Sequence, residues 1–281
     1  MALETRVYQK ERTIKFGKLL KASLSDMYHS RFLARQLAER DIKAMYRQSY
    51  LGILWAFIMP LTTAAVWIFL NSSGTIELSD TGIPYPVYAF SGTLIWSIIV
   101  ASINSPMTST QAAKGILTKI NFPKEALLLS GIYKLLFDTS IKILILVVFV
   151  IIYGVGLQWG LLLFPVAILG AIIFGTTVGL FLTPLGLLYK DIGKIITFAM
   201  QFLMYVTPVV YAIPKTGIMK TIMTWNPITP ILLTARDLVV GFTPEYLNYF
   251  LVVLAVCIPF LFLGLIIYRI SIPIIVERLS A

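Results

Sequence analysis

Between residues 143 and 189 the chain runs for 47 residues without an Asp, Glu, Lys or Arg. One bilayer crossing uses roughly 20 apolar residues. The run is therefore long enough for two crossings, and the punctuation YGVGLQWG at 153–160 divides it. Residues 48–76 and 81–113 are also free of charge, and 195–214 and 246–268 are two further apolar runs. In lipid, each such segment has to satisfy its own backbone N–H and C=O groups, which leaves helices. The expected fold is all-α and polytopic: six transmembrane helices near 51–71, 87–112, 126–153, 161–188, 194–213 and 246–268. They would form one membrane domain within a single unit spanning 1–281. Only 13% of residues are charged and the mean hydropathy is +0.86, whereas soluble domains run near a quarter charged. A water-soluble fold is excluded on that ground.

Basic residues orient the spans, because they concentrate in cytoplasmic loops. Eleven Lys and Arg precede Gln48, three lie at 114–124, Lys190 and Lys194 lie between the fourth and fifth spans, and Arg269 and Arg278 follow the last. These regions alternate correctly for one side. The opposite side holds only Lys215, Lys220 and Arg236. Both termini and the 114–125 loop are expected in the cytoplasm. The net charge of +10 then reflects this bias and the attraction of anionic lipid headgroups. A nucleic-acid partner would want basic residues interleaved with aromatics on one soluble face, and none is seen. With one cysteine, Cys257, and one histidine, His29, an internal disulfide, a cysteine metal cluster and most zinc or Ser-His chemistry lack their parts. No metal-ligating set and no catalytic residue is expected. The first fifty residues are polar and basic, unlike a cleavable signal peptide.

The segment 26–48 has helical spacing. Phe32, Leu33, Leu37, Ile42 and Met45 fall near one face, Arg31, Arg35, Glu39, Lys43 and Arg47 largely on the other, and Asp26 is placed to cap its start. An amphipathic helix in the membrane interface is expected. A plain surface anchor and a cuff that also receives a cytoplasmic partner both remain open. In the third span Lys134, Asp138 and Lys142 stack at i, i+4 and i+8. Intramembrane charges are costly and usually face protein or water. Structural pairing near the inner leaflet is the expectation, a proton relay the alternative. GTTVG at 175–179 permits close helix approach, either inside one chain or at a dimer seam. Pro106 and Pro184 are expected to kink their helices. The region 207–243 is apolar yet broken by Pro208, Pro214, Gly217, Pro227 and Pro230. It reads as two short re-entrant helices before the last span, with an ordinary outer lid as the alternative.

At KGILTKINFPKEALLLS, 114–130, the chain breaks for three lysines, an Asn, a Pro and a Glu before returning to leucines. Phe122 is pushed out of helical geometry by the proline after it, Pro123 suits a first helical position and Glu125 a first turn. Ile116, Leu117 and Ile120 are expected on an exposed face of a short helix.

RDIKAMYRQSYLGILWAFIMPL (40–61), KINFPKEALLLS (119–130), LYKDIG (188–193), TPVVYAI (207–213) and WNPITPI (225–231) resemble, in this order, the permease subunits of ABC-2 type polysaccharide exporters. That family includes O-antigen, capsule and teichoic-acid exporters. The likeness runs from about residue 30 to the end. It implies a homodimer with two copies of a cytoplasmic ABC ATPase, in a bacterial inner membrane. It also implies a coupling helix in the loop after the second span, here Lys114, Ile116, Leu117, Lys119, Ile120, Asn121, Phe122, Pro123, Lys124 and Glu125. Gate helices before the last span would carry Pro208, Tyr211, Pro214, Trp225, Asn226, Pro227 and Pro230. The implied substrate is a glycan on undecaprenyl pyrophosphate, or a related lipid-linked polymer, moved outward. Trp55, Trp67, Tyr88, Trp96, Phe202 and Tyr205 are candidate rings along the path, with an aromatic belt or plain packing as the alternative. Arg35, Arg40, Lys43 and Arg47 are candidates at the membrane interface, the last three on a basic rim suited to a pyrophosphate and equally suited to anionic lipid. The chain has no G-x-x-x-x-G-K-[ST] loop. ATP and its magnesium are therefore assigned to the partner, and the chain is a transport subunit with no cofactor of its own.

Two rival readings remain. An ion-driven carrier would use Lys134, Asp138 and Lys142 as its coupling path. A membrane enzyme acting on lipid-linked sugars would need convergent acids at one depth, and Asp138 is the one acid within an expected span.

Overall fold

The apolar runs form helices in the computed structural model, which describes residues 16–47, 49–74, 82–117, 119–120 and 122–280. The helices are α1 (Phe16–His29), α2 (Arg31–Arg47), α3 (Trp55–Ser72), α4 (Tyr85–Ala112), α5 (Lys114–Leu117), α6 (Glu125–Ile152), α7 (Phe164–Leu188), α8 (Asp191–Tyr205), α9 (Ile218–Trp225), α10 (Ile228–Val240) and α11 (Leu247–Ser280). Among the described residues, five segments are long and apolar enough to cross a membrane: Gly52–Ser72, Tyr85–Ala112, Glu125–Ile152, Phe164–Leu188 and Leu247–Glu277.

α4 is the centre of the bundle. Most of it is covered by the rest of the chain, whereas α3 is almost wholly uncovered. Glycines set the spacing around α4. A Cβ on Gly175 or Gly179 of α7 would run into Ser102 or the Ile103 carbonyl of α4. The GTTVG segment is thus a seam inside one chain. On the other flank α6 runs antiparallel to α4: Gly131 lies against Ser105 and Ser109, and Phe149 stacks on Phe90 with centroids 4.4 Å apart. α11 runs parallel to α7, since Gly170 meets Phe250 near both starts and Gly264 meets Leu180 further along. α4 and α7 both continue as helix through Pro106 and Pro184.

Parallel α7 and α11 require the chain between them to return across the depth of the bundle. α8 begins at the level of Met107, whose Cε stands 3.5 Å from a Cβ on Gly193. The turn after α8 reaches Gly92, near the opposite end of α4. The helix expected over 194–213 stops at Tyr205. Pro208 explains the stop, because it bars helical geometry at Thr207. Fifteen residues give about 22 Å, short of a ~30 Å hydrocarbon core.

The N-terminal segment is two helices, not one. Ser30 Oγ donates to the Asp26 carbonyl at 2.6 Å, a back-bond that bends a helix. Asp26 lies inside α1 and caps nothing. α2 is inclined along α6: Leu37 packs in one cluster with Leu127, Asp41 pairs with Lys134 at 2.8 Å, and Tyr46 shares a cavity with Asp138. Its packed face is built on Ala34 and Ala38, which are buried, while Phe32 and Met45 stay exposed.

Candidate functional site: a path through the bundle and its two ends

α1, α5 and the tail of α11 meet at one end of the bundle, called the basic end here; α9 and α10 close the other, the capped end. At the basic end, α5 and the turn after it form the corner expected from KGILTKINFPKEA. Lys114, Lys119, Ile120 and Pro123 are exposed, and Ile116, Phe122 and Lys124 half-buried, with Lys124 Nζ 4.8 Å from the Phe122 ring centroid. Asn121 lies outside the described residues. Two expectations change. Leu117 is buried with Ala113 and Leu127, because the short helix needs an apolar anchor against α6. Pro123 stands two residues before α6, which begins at Glu125; its carbonyl accepts from Ala126 N–H at 3.1 Å.

Glu125 is 3% exposed and faces inward. Ser23 Oγ of α1 donates to its Oε1 at 2.9 Å, and Arg269 of α11 donates to the same oxygen. Arg269 also reaches Asp26 at 2.7 Å. One buried carboxylate therefore ties the corner to α1 and α11. Next to it, the Tyr268 hydroxyl meets Thr110 at 2.9 Å. This cluster carries no sequence signature, since its members are up to 246 positions apart.

The three intramembrane charges are all paired. Lys134 takes Asp41 of α2, and Asp138 takes Lys142 at 2.7 Å, leaving no lone acid for a relay. The depth differs from the expectation. In the α4–α6 register Lys142 stands opposite Trp96 and Ser97, at the middle of α4 and not near one end. A cavity of about 530 Å³ opens there, lined from α2, α3, α4, α6 and α8. Trp55 and Trp96 both line it.

The other candidate rings do not converge. Tyr88 is buried at the capped end, Trp67 is half-buried on α3, and Phe202 and Tyr205 are exposed on the open face of α8 beside Phe198. On α2, Arg35 pairs with Glu39, Arg40 pairs with Asp41, and Lys43 and Arg47 are exposed.

The capped end is organised by Arg236. It is 2% exposed; its guanidinium donates to the carbonyls of Pro208, at 3.1 Å, and Val209, and lies 3.7 Å from the Tyr88 ring centroid. Carbonyls and a ring face replace the carboxylate an arginine usually finds. Gly92 leaves the room, because a Cβ there would strike both Val209 O and Arg236. Asn226 ties the α9–α10 corner to the end of α8: its Nδ2 donates to Val206 O at 3.1 Å and Thr207 Oγ1 at 2.8 Å, and its Oδ1 accepts from Ile228 N–H at 3.0 Å. Tyr211 donates to the Tyr205 carbonyl, and Tyr249 to the carbonyl of Trp225, whose ring is exposed. Pro208 and Pro230 are buried, Pro214 half-buried and Pro227 exposed. α10 closes on Gly241 at φ +81°, the left-handed C-terminal position that favours glycine. In the sequence Arg236 looks like an ordinary loop charge; its one signal is its place inside an apolar segment.

The sequence signature described as ABC-2 type transporter matches residues 33–240, from α2 through the end of α10. The chain belongs to this family. Three curated relatives are similar over most of their length, and each is named an O-antigen export system permease protein RfbA. One from Klebsiella pneumoniae is 28% identical over 218 residues, covering 75% of this chain and 81% of the relative. One from Myxococcus xanthus is 27% identical, covering 66% and 70%. A second from Klebsiella pneumoniae is 25% identical, covering 76% and 81%. As an ABC-2 family member with several apolar helices, the chain is a multi-pass membrane transport component. The matched stretch contains the corner, the cavity and Arg236.

Proposed function

We propose that the chain is the permease subunit of an ATP-driven exporter that moves a lipid-linked polysaccharide, an O-antigen-like glycan on undecaprenyl pyrophosphate, outward across the cytoplasmic membrane. The observation that carries this reading is the family match together with three O-antigen export permeases aligned over 66% or more of both chains. Two copies of the chain and two copies of a cytoplasmic ATPase make the working unit. The basic end faces the cytoplasm. There the exposed residues Lys114, Lys119, Ile120 and Pro123 meet the ATPase, while Glu125 and Leu117 act from inside by holding the corner rigid. ATP and magnesium stay with the partner.

α8 and the apolar turn at 206–210 together make the sixth crossing. α9 and α10 form the re-entrant gate: their corner at Trp225–Asn226 is bonded to Thr207 and Tyr249, below the α10 end that meets Gln158. α2 carries Phe32 and Met45 toward lipid and its basic residues toward headgroups.

The test is a pull-down with ATPase measurement. The tagged chain is purified from its host in mild detergent, as wild type and with 114–125 replaced by a Gly/Ser loop. A stoichiometric nucleotide-binding subunit, lost with the replacement, is the expected result. Recovery of the chain alone, with transport that survives loss of that ATPase and collapses with the proton gradient, would hand the case to an ion-driven carrier.

A further inference from the structure

We infer that the mid-bundle cavity is a subsite for a neutral sugar ring, with Asp138 and Lys142 as its hydroxyl-binding pair, Trp55 as its stacking wall and Trp96 closing the wall from behind. The inference rests on the exporter reading above and adds a place and a chemistry to it.

The pair is costly where it lies. Charges at mid-depth are expensive and by default functional. A buried ion pair can often be replaced by apolar side chains with no loss of stability, so folding alone is a weak reason to keep it. The two partners are not equally enclosed. Lys142 is recessed, and Asp138 is 39% exposed by side chain. Its carboxylate accepts hydrogen bonds and the ammonium beside it donates them, which is the pairing a sugar hydroxyl uses in both directions.

The walls fit the same ligand. Thr93 and Ser97 donate their hydroxyl protons to carbonyls of their own helix, at 2.8 and 2.7 Å, so their remaining role is to accept. Trp55, 44% exposed, gives a flat apolar face that suits the C–H face of a ring, and the buried Trp96 backs the cavity wall. A cavity of about 530 Å³ is within the size range of small-molecule sites. A diphosphate fits less well. The pair is net neutral and, among the described residues, no other Lys or Arg lines the cavity, whereas phosphate recognition wants surplus cationic donors. A polyprenyl tail would strip water from the exposed side of the Asp138 carboxylate and offer it no donor in return.

The test uses the full chain with its co-purified ATPase in nanodiscs. Trp67, Trp159 and Trp225 are changed to Phe, leaving Trp55 and Trp96 as reporters. The probe is the lipid-free repeat-unit oligosaccharide released by mild acid from the host's surface polysaccharide; inorganic pyrophosphate is the comparison. The expected result is a saturable fluorescence change with oligosaccharide, and none with pyrophosphate. Asp138→Asn with Lys142→Met should weaken it at least tenfold, and Ser97→Phe, which fills the cavity and keeps both charges of the pair, should abolish it. A response to pyrophosphate alone, no response, or a response unchanged in both variants would overturn the subsite. Polymer at the cell surface separates the two claims. Export that needs this chain but tolerates Ser97→Phe removes the subsite alone. Export that persists without the chain removes the exporter reading.

Discussion

Arg236 and Gly92 form a single fitting, and each is explained by the other. The guanidinium is buried between two backbone carbonyls and a tyrosine ring, and only a residue without a side chain can lie beside it on α4. Gly92→Ala should destabilise the purified protein by about 1–3 kcal/mol, the usual cost of overpacking. Gly115→Ala, at a position with nothing within 4 Å, should leave the thermal midpoint unchanged or raised. Equal midpoints for the two variants would refute the steric account. Beside Arg236, burial pushes the Asp237 carboxyl up to about 6, with the Arg236 charge opposing. A raised folded-state pKa means that the protonated form is favoured by the fold. That contribution is present at low pH and is lost as pH rises through about 6. The thermal midpoint should therefore fall between pH 5 and pH 7.5, and Asp237→Asn should flatten that part of the profile.

The corner at the basic end works at the scale of elements. α5 is four residues long and cannot hold itself, so its rigidity comes from Leu117 and from the Glu125 network that binds α6 to α1 and α11. Arg269→Met would leave Glu125 buried without its cation, at a cost of roughly 3 kcal/mol. The double variant Glu125→Gln with Arg269→Met should recover much of that loss in a thermal melt. ATP hydrolysis should still fail to drive export in the double variant, because the corner has lost its ion pair to α11. Recovery of both stability and coupling would show that the network only holds the fold. α8 illustrates a different limit. Its apolar run continues beyond its helix, because hydropathy reports which solvent a segment tolerates and one proline decides where the helix stops.

Across the whole molecule, the uncovered surfaces are uneven. α3 is nearly bare, and α8 presents Ile195, Phe198, Phe202 and Tyr205 on one open face. A homodimer closed across these helices would cover both. Phe202→Cys, in a chain with Cys257→Ser, should form a disulfide-linked dimer in native membranes on mild oxidation, and Leu251→Cys on the exposed face of α11 should not. Cross-linking at Leu251 alone would move the seam to the other side of the bundle.

The helical class, five of the six expected spans, the corner at 114–125 and the family were legible in the sequence, because lipid demands long charge-free helices and turns demand Pro and Gly at particular places. Periodicity also put Lys134, Asp138 and Lys142 on one face. It offered Asp138 either lysine, and Lys142 takes it; it missed the partner of Lys134, since Asp41 comes from another helix, 93 positions away. The same holds for the depth of the Asp138–Lys142 pair, the inward turn of Glu125, the burial of Tyr88 and the place of Arg236. Each depends on which helices touch and in what register, and a local pattern carries no record of a contact made across the bundle.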